Sequence, residues 1–97
     1  MPDEKKDDNV VFIGVKPFMN YVTSVVMLFT SKNKDEITIK ARGRWISRAV
    51  EVVEIVRKKF LKEQNIQIKD VKIDSAEIEN EEGRKVNVAS IEITLKK

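Results

Sequence analysis

Ile37-Thr38-Ile39-Lys40-Ala41-Arg42-Gly43-Arg44-Trp45-Ile46-Ser47 constrains the fold of this chain more than any other stretch. Its apolar residues alternate as in a strand up to Ala41, then take the three-and-four spacing of a helix from Trp45 onward. The change of period falls on a glycine between two arginines. A glycine can take positive φ and turn the chain sharply, so the new helix starts with unpaired backbone N–H groups beside two guanidinium groups. Anions settle at such a terminus, and phosphate is the natural guest. The alternative reading is that Gly43 merely ends the strand and both arginines are solvated.

The preceding residues repeat the arrangement. Asn9-Val10-Val11-Phe12-Ile13-Gly14 is a short apolar run closed by glycine, which predicts a strand buried on both faces and central in its sheet. Lys16-Pro17 follows, and proline suits the first turn of a helix. Phe18, Tyr21, Val22, Val25, Val26 and Phe29 form one amphipathic stripe, and the polar residues 30–35 make the loop to the next strand, Glu36 to Lys40. A strand-helix-strand crossover is nearly always right-handed and leaves its strands parallel within a sheet. Gly14-Val15-Lys16-Pro17 and Ala41-Arg42-Gly43-Arg44 therefore belong on one rim, which favours phosphate contact over solvation.

From Trp45, the pattern Ile46, Ala49, Val50, Val53, Val56 and Phe60 marks a second helix ending near Lys62. Val52, Ile55 and Leu61 widen its apolar surface beyond a single stripe, so this helix has more to cover than the sheet, and a second subunit is the economical partner. Arg57, Lys58, Lys59 and Lys62 gather at its end as capping charges. The last third reads as a hairpin. Pairing Val71 with Ile93, Ile73 with Ile91, Ala76 with Val88 and Ile78 with Val86 leaves Glu81-Glu82-Gly83 as a three-residue loop with glycine in the αL position. Alternation slips between Ile73 and Ala76, so the outer half turns its apolar side to the other face of the ribbon and extends as an arm of roughly 20 Å. The element order β-α-β-α-β-β predicts an α/β two-layer sandwich, with a four-stranded mixed sheet, two helices on one face and a protruding C-terminal hairpin.

A chain of 97 residues makes one domain with a small core, which again favours an oligomer. Residues 1–8 read as a disordered leader of net charge −2, so the domain over 9–97 carries +5, against +3 for the whole chain. With no cysteine and no histidine, thiolate metal sites and the commonest general base are missing. No catalytic residue, metal site or cofactor is expected. Neither GxGxxG nor GxxxxGK[ST] occurs, and Asp70, Asp74, Glu77, Glu79, Glu81 and Glu82 fall at alternating or turn positions expected to be exposed. No apolar run suits a signal peptide or a membrane span, so a cytoplasmic protein is expected.

Taken in order, Asn9 to Gly14, Lys16-Pro17-Phe18-Met19-Asn20-Tyr21-Val22, Ile39 to Arg44, Val53-Glu54-Ile55-Val56-Arg57 and the Gly83-Arg84 turn resemble successive signatures of the Alba family of archaeal chromatin proteins. The resemblance implies a dimeric fold akin to the C-terminal domain of a bacterial translation initiation factor, which coats and condenses double-stranded DNA on the chromosome and also binds RNA. Position by position, it implies phosphate contacts by Lys16, Arg42 and Arg44 around Gly43, with Asn20 and Tyr21 nearby, Lys40 as an addition, and Arg84 and Lys85 tipping the arm in the minor groove. Phe60 matches the position of a contact between dimers. Lys16 matches a lysine that can be acetylated and is commonly one of a basic pair; here its neighbour is Val15. Trp45 replaces a small or polar residue and either stacks beside the anion site or fills the helix start. Two other readings stay open, a dedicated RNA-binding or ribonucleoprotein subunit and a protein-interaction module whose basic rim meets an acidic partner.

Overall fold

The computed structural model describes residues 9–97; the leader expected at 1–8 lies outside the described residues. β1 (Val10–Phe12) leads to α1 (Phe18–Phe29) and β2 (Glu36–Arg42). A 3-10 turn at Gly43–Trp45 opens α2 (Ile46–Ile55), which runs on as a π-helical turn at Val56–Phe60. A short 3-10 turn at Lys62–Gln64 precedes the long strands β3 (Gln67–Glu79) and β4 (Lys85–Lys96). The four strands form one mixed sheet in the order β1-β2-β4-β3, with β1 parallel to β2 and the other pairs antiparallel. Both helices pack on one face.

The core follows the two periods. Ile37, Ile39 and Ala41 of β2 and Ile91, Ile93 and Leu95 of β4 are buried beneath Tyr21, Val22, Val25 and Phe29 of α1 and Ala49, Val52 and Val53 of α2. Pro17 caps α1, and Thr30 ends it by donating both its backbone N–H and its hydroxyl to the carbonyl oxygen of Val26.

β1 is an edge strand, not the central one its apolar run suggested. The hairpin puts β4 beside β2, so β2 and β4 occupy the middle. A short apolar run does not by itself reveal its neighbours, and here only alternate residues face the helices: Val11 and Ile13 are buried, whereas Phe12 is 64% exposed. On the second helix the stripe is rotated. Val52 is buried and Val50 exposed, the reverse of the expected assignment. At its end the N–H of Leu61 bonds to the carbonyl oxygen of Val56, five residues back, and this wide turn leaves Phe60 at the surface and Leu61 in the core.

The hairpin has the expected register, with Val71 opposite Ile93, Ile73 opposite Ile91, Ala76 opposite Val88 and Ile78 opposite Val86. β2 stops pairing at Arg42, opposite Ser90, so the ribbon continues past the sheet with two strands only. A bulge between Ile68 and Asp70, which the alternation did not suggest, lets Lys69 reach the carboxylate of Glu36.

Candidate nucleic-acid interface

Parallel pairing of Phe12 with Lys40, continued by the Ile13 N–H bonded to the Lys40 carbonyl oxygen at 2.8 Å, brings the two glycine-containing turns to the same end of the sheet. Gly43 has φ +58°, a left-handed conformation. A Cβ there would lie 3.8 Å from Val88, an ordinary contact, so backbone conformation and not space calls for glycine. Arg42 and Arg44 on either side are exposed, and among the described residues neither pairs with a carboxylate.

Arg48 locks the two turns together. Its Nη1 donates to the carbonyl oxygens of Gly14 at 3.1 Å and Lys16 at 2.7 Å, tying the first turn of α2 to the turn that carries Lys16. Lys16 is held from the other side as well, since its backbone N–H donates to the hydroxyl of Tyr21 at 2.9 Å. Tyr21 is thus near the rim but buried, and it positions Lys16 through the backbone; Asn20, beside it, is exposed. The guanidinium groups of Arg44 and Arg48 lie 4.7 and 5.1 Å from the Trp45 ring, so Trp45 both packs on the core and stacks against the cations of the rim. Sequence reasoning missed Arg48. It lies four residues after Arg44, on the same side of the helix, and that spacing was the available signal.

Lys40 lines a cleft together with Arg42 and Trp45. It projects from the outer face of the sheet, half-buried, with its ammonium 3.8 Å from the Glu92 carboxylate and 5.7 Å from the Phe12 ring. Arg84 and Lys85 are exposed at the far end of the hairpin. The turn there is well held: Gly83 takes φ +81°, its N–H bonds to the Asn80 carbonyl oxygen at 3.0 Å, and the Asn80 side chain accepts the N–H groups of Glu82 and Arg84 at 2.9 Å each. Asn80 is the second residue the sequence reading overlooked.

The fold that carries the rim and the arm has counterparts among known proteins. The family profile for Alba matches residues 9–75. The chain is 50% identical over 91 residues to the DNA/RNA-binding protein Alba of Methanocella arvoryzae, covering 94% of this chain and 92% of that protein. It is 52% identical over 90 residues to the DNA/RNA-binding protein Alba 1 of Archaeoglobus fulgidus, covering 93% and 97%. The chain belongs to the Alba family. The solved structure of Alba from Thermoplasma volcanium superposes with a TM-score of 0.83 at 45% identity, over 92% of this chain and all of that one. The Alba profile takes in Lys16, Lys40, Arg42, Arg44 and Phe60, while Arg84 and Lys85 lie beyond its matched span.

Proposed function

We propose that this member of the Alba family is a non-enzymatic chromatin protein that coats double-stranded DNA as a homodimer, chiefly through phosphates, and also binds RNA. The observation that carries the reading is the pair of basic turns on one rim, held in mutual register by Arg48. Lys16, Arg42 and Arg44 gather there on short, fixed backbone, which suits contacts that position a protein on a duplex without reading its sequence.

A homodimer is supported by the uncovered edge of the sheet. Val71 and Ile73 lie on the helix-bearing side of β3, opposite core residues of β4, yet both stay exposed, Ile73 at 79%. Val50 is exposed on α2, and Ile46 lines one cleft with Ile73, Ala89 and Ile91. A second copy seated on this surface would cover it by a two-fold contact. Phe60, 51% exposed on its π turn, would then join neighbouring dimers along the duplex.

From each subunit an arm of about five residues per strand, roughly 17 Å long, would carry Arg84 and Lys85 to a minor groove. Between residues 74 and 90 the arm holds five carboxylates, those of Asp74, Glu77, Glu79, Glu81 and Glu82, against those two cations. Only Arg84 and Lys85 on it suit DNA, so the rim supplies most of the affinity. Such a protein resides in the cytoplasm on the chromosome. The names of its relatives favour RNA as a second ligand. The test is anisotropy titration of a plain duplex with structured RNA as competitor: duplex binding that weakens with salt is expected, and RNA displacing the duplex at far lower concentration would favour a ribonucleoprotein role. Absence of duplex and RNA binding would leave the acidic-protein partner.

A further inference from the structure

Phe12 borders the rim just described. It is a large aromatic side chain, 64% exposed, on the outer face of a sheet whose other outward residues are mostly polar or charged. It borders two clefts at once. One, of about 500 Å³, runs across the end of the sheet between Phe12, Trp45, Lys40, Arg42, Ser90 and Glu92. The other, of about 670 Å³, follows the open edge of β1 along α1 and is lined by Lys16, Asn20, Thr23, Ser24, Met27 and Lys32.

We propose that this surface binds single-stranded nucleic acid, with an unpaired base stacked on Phe12 and the backbone running over the β1 edge. The inference deepens the phosphate-binding reading and rests on it. Single-strand sites combine a basic groove, which follows the backbone, with aromatic faces on which bases stack regardless of sequence. Both parts are present. Lys40 and Arg42 lie on one side of the ring and Lys16 and Lys32 on the other, so cations flank the aromatic face along the direction a strand would take.

The charges also orient the ligand. Glu92 repels phosphate and can accept from an N–H on a base edge, an imide or an amino group alike, while Ser90 offers a hydroxyl, so the base edge points towards these two and the phosphates towards Arg42 and Lys16. The Lys40 ammonium, between the Glu92 carboxylate and the Phe12 ring, keeps this acidic wall partly neutralised. A duplex keeps its bases stacked inside and offers no free face to Phe12. β3, where a second subunit is expected, lies at the opposite edge of the sheet, so dimerisation leaves the surface open.

The test compares the intact protein with Phe12→Ala and Phe12→Tyr against three probes at one salt concentration: oligo-dT, oligo-rU and a plain duplex. Trp45 is the only tryptophan and lines the Phe12 cleft, so its fluorescence on excitation at a wavelength selective for indole reports occupancy directly. The ring is exposed, so Phe12→Ala should keep the fold, which thermal unfolding checks. Single-strand affinity should fall roughly 5- to 150-fold in Phe12→Ala, recover in Phe12→Tyr, and leave duplex affinity within about twofold. Saturable change in Trp45 emission should accompany single-strand binding of the unmodified protein. Equal single-strand affinity in Phe12→Ala and the unmodified protein, with duplex binding intact, would overturn the single-strand site alone. Failure of the unmodified protein to bind any of the three probes would overturn the phosphate reading beneath it.

Discussion

The Arg48 side chain is bonded to the backbone of Lys16, Nη1 to carbonyl oxygen at 2.7 Å, across 32 positions of sequence. This joins the start of α2 to the turn after β1 and fixes the Lys16 backbone at the end of the sheet that carries Arg42 and Arg44. Arg48→Ala removes two hydrogen bonds from a charged donor and should lower stability by about 1–2 kcal/mol and weaken duplex binding as well. Arg48→Lys keeps the charge but loses the planar fork of donors. If Arg48 acts by holding the turn, Arg48→Lys restores little of the binding, and amide exchange at Lys16 speeds up in both variants. Full restoration by lysine with unchanged exchange would make Arg48 a phosphate contact instead.

Ile73 and Ile91 face each other across the hairpin, yet only Ile91 is buried. The exposed member marks the surface a second subunit would cover. Ile73→Glu should give a folded monomer at micromolar concentration by light scattering, because a carboxylate buried at a two-fold contact meets its own copy or apolar surface. A dimer unchanged by this substitution would move the interface elsewhere.

Gly43 and Gly14 occupy equivalent turns but differ in backbone. The left-handed φ of Gly43 should make Gly43→Ala cost about 1–2 kcal/mol of stability in denaturant unfolding. At Gly14 an added Cβ would meet the Tyr21 hydroxyl at 3.6 Å, an ordinary contact, and Gly14→Ala should be milder. Equal costs would show that the turn conformation is not what selects glycine at 43.

Glu36 gives a pH signature. The hydrogen bond from Lys69 holds its carboxyl below the ordinary value of 4.5, with the positive charges of Lys69 and Lys96 adding to the effect. A carboxyl depressed on folding stabilises the folded state above its unfolded pKa, and that contribution disappears as pH falls through the folded pKa. Lys69→Met should raise the Glu36 midpoint, followed by carbon-13 NMR of the carboxyl, and reduce the part of acid sensitivity that comes from this site. An unmoved midpoint would show that the ammonium does not hold the carboxylate in solution.

The sequence made the hairpin legible almost residue by residue, because apolar pairing and turn chemistry both acted locally: one register satisfied the pairs Val71–Ile93 to Ile78–Val86 and put Gly83 in the left-handed turn. The crossover rule needs only the element order, and parallel β1 and β2 do bring the two glycine turns to one rim. What stayed hidden depends on neighbours distant in sequence. The edge position of β1 follows from where the hairpin inserts, which three strand residues cannot report. The π turn that exposes Phe60 and the Arg48 bonds to Gly14 and Lys16 arise from tertiary packing, which a helical stripe does not encode.

The salt dependence of duplex binding tests the phosphate rim most directly. Each phosphate neutralised steepens the fall of log K with log salt by about 0.9, so losing one contact in each subunit of a two-fold dimer should flatten the slope by roughly 2. Arg42→Ala and Arg44→Ala, compared with the intact protein on several unrelated duplexes, should each show that flattening together with weaker binding on every sequence. A slope unchanged in both variants, while the fold and the dimer persist, would contradict phosphate contact at the rim.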